Sequence, residues 1–225
     1  MTQTSLSPGV ILRDAFGRVG PVFVPVALLA LPANILPLLI PSAPLRGTFS
    51  ILFAIFVAPV LGGATIVLVN RALANEAVDL GAALSMAWQR AGQLILTSLL
   101  LMVILIPSLA LLLVPGIYLS VRLFASQYEV MLERQSPMDA LKASWSLTEG
   151  RWWSVFWPTF AIALLLLIPV ILLSVLFMNA AFGDWVTGLI GVAITPLLVM
   201  SFLMVYKVLK GQGVSDTGDA SPISA

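Results

Sequence analysis

Tyr118, Arg122, Ser126, Glu129 and Glu133 are spaced four, four, three and four residues apart, which on a helix sets them along one face. That stripe is expected to face the interior of a helical bundle. Its residue types suit two kinds of chemistry. Arg122 could bind an anionic group such as a lipid phosphate, with Glu129 and Glu133 near the cytoplasmic mouth of a polar cavity. The two glutamates could instead serve as the acid and base of a hydrolysis, but a four-residue spacing is ordinary and Glu133 is expected in water. Glu129 follows Arg122 by seven residues, about 10 Å along a helix, so a direct pair needs both side chains to reach or a water between them. A structural reading competes with both: Arg122 snorkels or braces a neighbouring helix through its carbonyls, and the glutamates are simply solvated.

The elements that must carry these residues follow from composition. Of 225 residues, 60% are hydrophobic and only 9% charged, with a mean hydropathy of +1.08, whereas soluble domains carry about 25% charged residues. No soluble fold of this size hides so much apolar surface. Lipid can be the solvent instead, and there only helices or closed barrels satisfy the backbone; long runs of Leu, Ala and Val favour helices. The chain has no Cys and no His, which removes disulfides, thiol nucleophiles, histidine bases and nearly every transition-metal site. A formal charge of +1 gives no field for nucleic acid. No cofactor and no catalytic centre are expected.

A helix needs about 20 apolar residues to cross about 30 Å of hydrocarbon. Six stretches meet or approach that length: Val19 to Ile40, Phe49 to Val69, Leu94 to Leu113, Gly116 to Val130, Val155 to Phe177, and Trp185 to Tyr206. The fourth is short and interrupted by Arg122 about midway, where an arginine is costly. With six crossings, Arg13, Arg18, Arg71, Arg90, Arg134, Lys142, Arg151, Lys207 and Lys210 all fall on one side, and Arg46 with Asp184 on the other. Basic residues mark the cytoplasmic side, so both termini are expected there, in a bacterial cytoplasmic membrane. Five crossings would move Lys207 and Lys210 outside. Met1 to Pro8 lack the features of a removable signal peptide, so a retained N-terminus is expected. Residues 1–210 read as one membrane domain and 211–225, small and polar, as a disordered cytoplasmic tail. Prolines within the spans, among them Pro25, Pro107, Pro169 and Pro196, could kink helices around a cavity or reflect their general frequency in membrane helices.

Three segments preceding the first, third and fifth spans superpose: SPGVILRDAFGRVG from Ser7, DLGAALSMAWQRAG from Asp79, and SPMDALKASWSLTEG from Ser136. Each has a helix-capping residue, then Leu12, Leu84 or Leu141, a small residue (Ala15, Ala87, Ser144), an aromatic (Phe16, Trp88, Trp145) and a glycine. Ser and Asp cap helix N-termini, and proline suits the first turn. A short helix with an apolar stripe and an aromatic at its edge lies flat at the headgroups. The expected architecture is an all-α integral membrane protein of three tandem units, residues 7–73, 79–133 and 136–210, each a surface helix followed by a transmembrane hairpin. Trp152 and Trp153 read as an interfacial belt opening the fifth span.

The run YLSVRLFASQYEVMLERQSPMDALKASWSLTEGRWWSVF resembles a bacterial family in which an arginine-bearing helix leads through an acidic exit to A-L-x-x-S-W-x-L-t-x-G-x-W and a further span. This is the membrane domain fused to some glycerophosphodiester phosphodiesterases and also found alone. The resemblance implies six membrane helices without a catalytic centre of their own, since the phosphodiesterase activity belongs to a separate soluble barrel whose glutamates, histidines and metal site have no counterparts in this sequence. Two expectations for function follow: a non-enzymatic accessory or scaffold protein engaging membrane lipids or a partner membrane protein, or a transporter or lipid-handling protein built around Arg122.

Overall fold

The computed structural model describes residues 7–111, 113–177 and 182–211, and its regular structure is helical throughout. In chain order the helices are α1 (Pro8–Arg18), α2 (Gly20–Ile35, extended by a 3-10 turn to Leu39), α3 (Ala43–Leu52), α4 (Ala58–Leu73), α5 (Leu80–Gln89), α6 (Ala91–Leu111), α7 (Leu113–Leu123), α8 (Ser126–Leu132), α9 (Pro137–Leu147), α10 (Trp152–Phe177) and α11 (Gly183–Leu209). A π-helical turn, Phe53–Val57, joins α3 to α4. It lies just before Pro59, which donates no hydrogen bond and crowds the carbonyl one turn back; a widened turn relieves that crowding.

Among the described residues, five stretches are long and apolar enough to cross a membrane: Gly20–Leu39, Ala43–Leu73, Ala91–Ala110, Trp152–Phe177 and Gly183–Leu209. The fourth expected crossing is not a continuous helix. It is divided into α7 and α8 by a turn at Phe124 and Ala125, and neither piece approaches the ~20 residues a crossing needs. The two pieces nevertheless run antiparallel along α6. Gln127 Nε2 donates to Ser98 Oγ at 2.7 Å, and at the other end Gly116 lies against Leu109, where a Cβ would come within 2.8 Å of the Leu109 Cα. Only glycine permits so close a reversal.

The three short helices expected from the sequence are all present as α1, α5 and α9. Asp79 Oδ1 accepts from the Gly81 and Ala82 amides at 2.8 and 3.1 Å, and Ser136 Oγ accepts from the Asp139 amide. Ser7 makes no side-chain cap, and Pro8 opens α1. Each short helix lies mainly against a different part of the bundle: α5 on α4, α9 on α8, and α1 on α11 and α10. Around the bundle, α2 packs between α11 and α4, α6 between α4 and α7, and α10 chiefly against α11 with a lighter contact to α7.

The core is concentrated at one end. Ile11, Leu12 and Ala15 of α1, Ile66 to Val69 of α4, Tyr128 and Val130 of α8, and Met200, Leu203 and Tyr206 of α11 join there in one cluster. At Gly63 a Cβ would stand 2.6 Å from Leu94 Cδ1 and 3.3 Å from Met131 Sδ, so α4, α6 and α8 meet where a side chain has no room. Toward the other end Leu39, Leu45, Ile51, Ile106, Val114, Leu172, Val175 and Leu176 are exposed. In water such a surface would be untenable, whereas against hydrocarbon an exposed leucine loses nothing. The tail expected to be disordered lies outside the described residues beyond Gly211.

Candidate functional site

The break between α7 and α8 divides the polar stripe into two clusters. Ser126, Glu129 and Glu133 stay on the α8 side, and the two glutamates turn toward the end of α11. Ser126 and Glu129 are fully buried, and Ser126 Oγ donates to the Leu123 carbonyl at 2.8 Å. Lys210 Nζ lies 2.8 Å from Glu129 Oε1 and 3.1 Å from Oε2, with Glu133 Oε1 3.6 Å away. Tyr206 Oη donates toward both carboxylates, at 3.3 Å to Glu129 and 3.4 Å to Glu133, while its ring stacks on Tyr128 at 5.1 Å. A carboxylate so buried is costly unless paired and hydrogen-bonded, and here it is both. Glu133 alone meets the expectation of solvation, being partly exposed.

Tyr118 and Arg122 belong to the second cluster, facing α9 and the first turn of α10. Arg122 Nε donates to Tyr118 Oη at 3.0 Å and Nη1 to the Trp145 carbonyl at 3.2 Å. Its guanidinium lies 4.7 Å from the centre of a Trp145 ring and 5.3 Å from that of Tyr118, close enough for cation–π attraction. Trp152 Nε1 donates to the Tyr118 carbonyl at 3.2 Å and its ring stacks on Tyr118 at 5.9 Å. Arg122 and Glu129 do not pair. The carbonyl that Arg122 reaches on a neighbouring helix is that of Trp145.

Ser144 ties the break to α9. Its hydroxyl donates to the Arg122 carbonyl at 2.8 Å and accepts from the Ala125 amide at 3.1 Å, satisfying two backbone groups that the helix interruption frees. Sequence reasoning took Ser144 only as the small residue of a repeat. It also passed over Tyr206 and Lys210 as partners, although they stand four residues apart and so share a helix face.

Of the expected interfacial aromatics, Phe16, Trp88, Trp145 and Trp153 are exposed, at 60%, 75%, 39% and 63%. Trp152 is half-buried, and stacks on Phe156 at 4.8 Å. A cavity of about 660 Å³ opens between the π-helical turn, α5 and α6, with Phe56, Leu61, Leu84, Trp88 and Ile95 in its wall. Arg122 is not among its lining residues. Among the described residues no group of acidic side chains is arranged to hold a metal ion. No protein-family model matches the chain, and neither does any curated protein or solved structure.

Proposed function

We propose that this chain is a non-enzymatic, multi-pass membrane protein of the bacterial cytoplasmic membrane, acting as an accessory or scaffold component that engages lipids through a cytoplasmic collar formed by α1, α5 and α9. The observation that carries this reading is the matched burial of the three helices. Ile11, Ala83 and Ala140 are buried, as are Ala15, Ala87 and Ser144, while the next residue in each, Phe16, Trp88 or Trp145, stands exposed. A small residue turned inward beside a large aromatic turned outward is what a helix lying at the headgroups requires.

Six crossings in three tandem units are part of the proposal. They are supported by the antiparallel return of α7 and α8 along α6 and by cyclic packing. In each proposed unit the surface helix rests on the last helix of the preceding unit, α5 on α4 and α9 on α8, and α1 closes the ring on α11. Both termini then lie in the cytoplasm beside the basic connections. The likeness of residues 118–156 to the phosphodiesterase-linked membrane domain agrees with a helical domain lacking catalysis. The scaffold reading is preferred to transport because Arg122 lies beside the rings of Tyr118 on α7 and Trp145 on α9, apart from the cavity lining.

Bilayers carrying bromine either near the headgroups or at the mid-plane test the collar. The fluorescence lost in Trp88→Phe is expected to be quenched chiefly by shallow bromines. Quenching chiefly by deep bromines, or by neither, would contradict a helix lying at the interface.

A further inference from the structure

The cation in the seam between α7, α9 and α10 has, among the described residues, no acidic partner. Among the described residues Arg122 takes no part in the ion pairs, which join Arg46 to Asp184 and Lys210 to Glu129 and Glu133. A guanidinium has five N–H donors; Tyr118 Oη and the Trp145 carbonyl take two of them. A charge set among aromatic rings beside an apolar helix is costly when unneutralised, and the fork of an arginine matches the oxygens of a phosphate. Lys142 stands three residues before Trp145 and Arg151 immediately before Trp152, both exposed. The nearby acids are Asp139, held by the Ser136 hydroxyl at 2.6 Å, and the exposed Glu149. This is also the lightly packed seam of α10, which touches α7 far less than α11, so a lipid can approach from the side.

We propose that this seam binds the phosphate of an anionic phospholipid. Arg122 is its principal cation, Trp145 and Trp152 lie beside the glycerol and upper acyl carbons, and Lys142 with Arg151 raises the local positive potential. Basic pockets between membrane helices take lipid headgroups by the same electrostatic logic. The inference rests on the membrane reading above and names the lipid class of one site within it.

Full-length protein is delipidated in mild detergent and offered phosphatidylglycerol, phosphatidylcholine or inorganic phosphate, with bound species counted by native mass spectrometry. Wild type should retain one phosphatidylglycerol in preference to phosphatidylcholine, and inorganic phosphate at equal concentration should not displace it. Arg122→Gln should weaken that retention about tenfold or more, the usual effect of losing a charged hydrogen bond, with Arg122→Lys intermediate. Equal retention by wild type and Arg122→Gln would leave Arg122 a brace alone and overturn the site. Displacement by inorganic phosphate would overturn its assignment to a lipid. A second arm, which leaves Arg122 in place, uses phospholipids brominated near the glycerol: the emission lost in Trp152→Phe and Trp145→Phe should, in wild type, be quenched more by the phosphatidylglycerol form. Equal quenching by both lipids, with Trp88 still quenched by shallow bromines, overturns this site while leaving the collar standing.

Discussion

Lys210 Nζ lies 2.8 Å from Glu129 Oε1, joining the C-terminal end of α11 to α8 across 81 residues of chain. Glu129 has almost no exposed side-chain surface, and Lys210 keeps 23% of its own. The pair, with Tyr206 donating to the same carboxylate, closes the packed end of the bundle with charge. Helices lacking a hydrophobic drive to associate in lipid can be held together by such polar contacts.

Removing the lysine should therefore cost more than removing both charges. Lys210→Met leaves Glu129 buried without its cation, a change that costs about 3–5 kcal/mol in fully buried pairs; the partial exposure of Lys210 places it near the lower figure. The double variant Glu129→Leu/Lys210→Met should regain most of that loss. Thermal unfolding in detergent, followed by tryptophan fluorescence over the full cycle, reads the difference. Additive losses would show that the two side chains are not coupled.

The Ser144 hydroxyl serves both sides of the α7–α8 break, so Ser144→Ala should strand the buried Ala125 amide. The expected cost is about 1–3 kcal/mol, with weakened protection of the Ala125 amide in hydrogen exchange. The corresponding Ala15→Ser and Ala87→Ser changes, on helices whose small residue has no such bonds to make, should not improve stability.

Adjacent glycines give an internal control on packing. A Cβ at Gly63 would meet Leu94 and Met131, while at Gly62 nothing lies within 4 Å. Gly63→Leu should destabilise by about 1–3 kcal/mol or more through overpacking, and Gly62→Leu should melt close to wild type. Similar losses at both positions would place the α4–α6–α8 contact elsewhere.

Much of this organisation was legible in the sequence, for identifiable reasons. Composition dictated helices in lipid, and the capping residues Asp79 and Ser136 announced α5 and α9, because N-caps are local events set by neighbouring atoms. The stripe from Tyr118 to Glu133 misled because helical periodicity assumes an unbroken helix. The turn at Phe124 and Ala125 is made tolerable by Ser144, 19 residues from Ala125, and no local signal marks it. The interior position of Glu129 follows from the stripe, but its pairing was hidden: its partners Tyr206 and Lys210 come from the far end of the chain, where they read as the close of a span and a basic flank.

The proposed arrangement of six crossings in three units turns on whether α7 and α8 carry the chain back across the membrane. The protein has no cysteine, so single cysteines can be introduced and probed with a membrane-impermeant maleimide in intact cells and after permeabilisation. Ser42→Cys, exposed in the connection between α2 and α3, serves as the control expected to label in intact cells. With six crossings Lys142→Cys, on α9, should label only after permeabilisation. Labelling of Lys142→Cys in intact cells alongside Ser42→Cys would contradict six crossings.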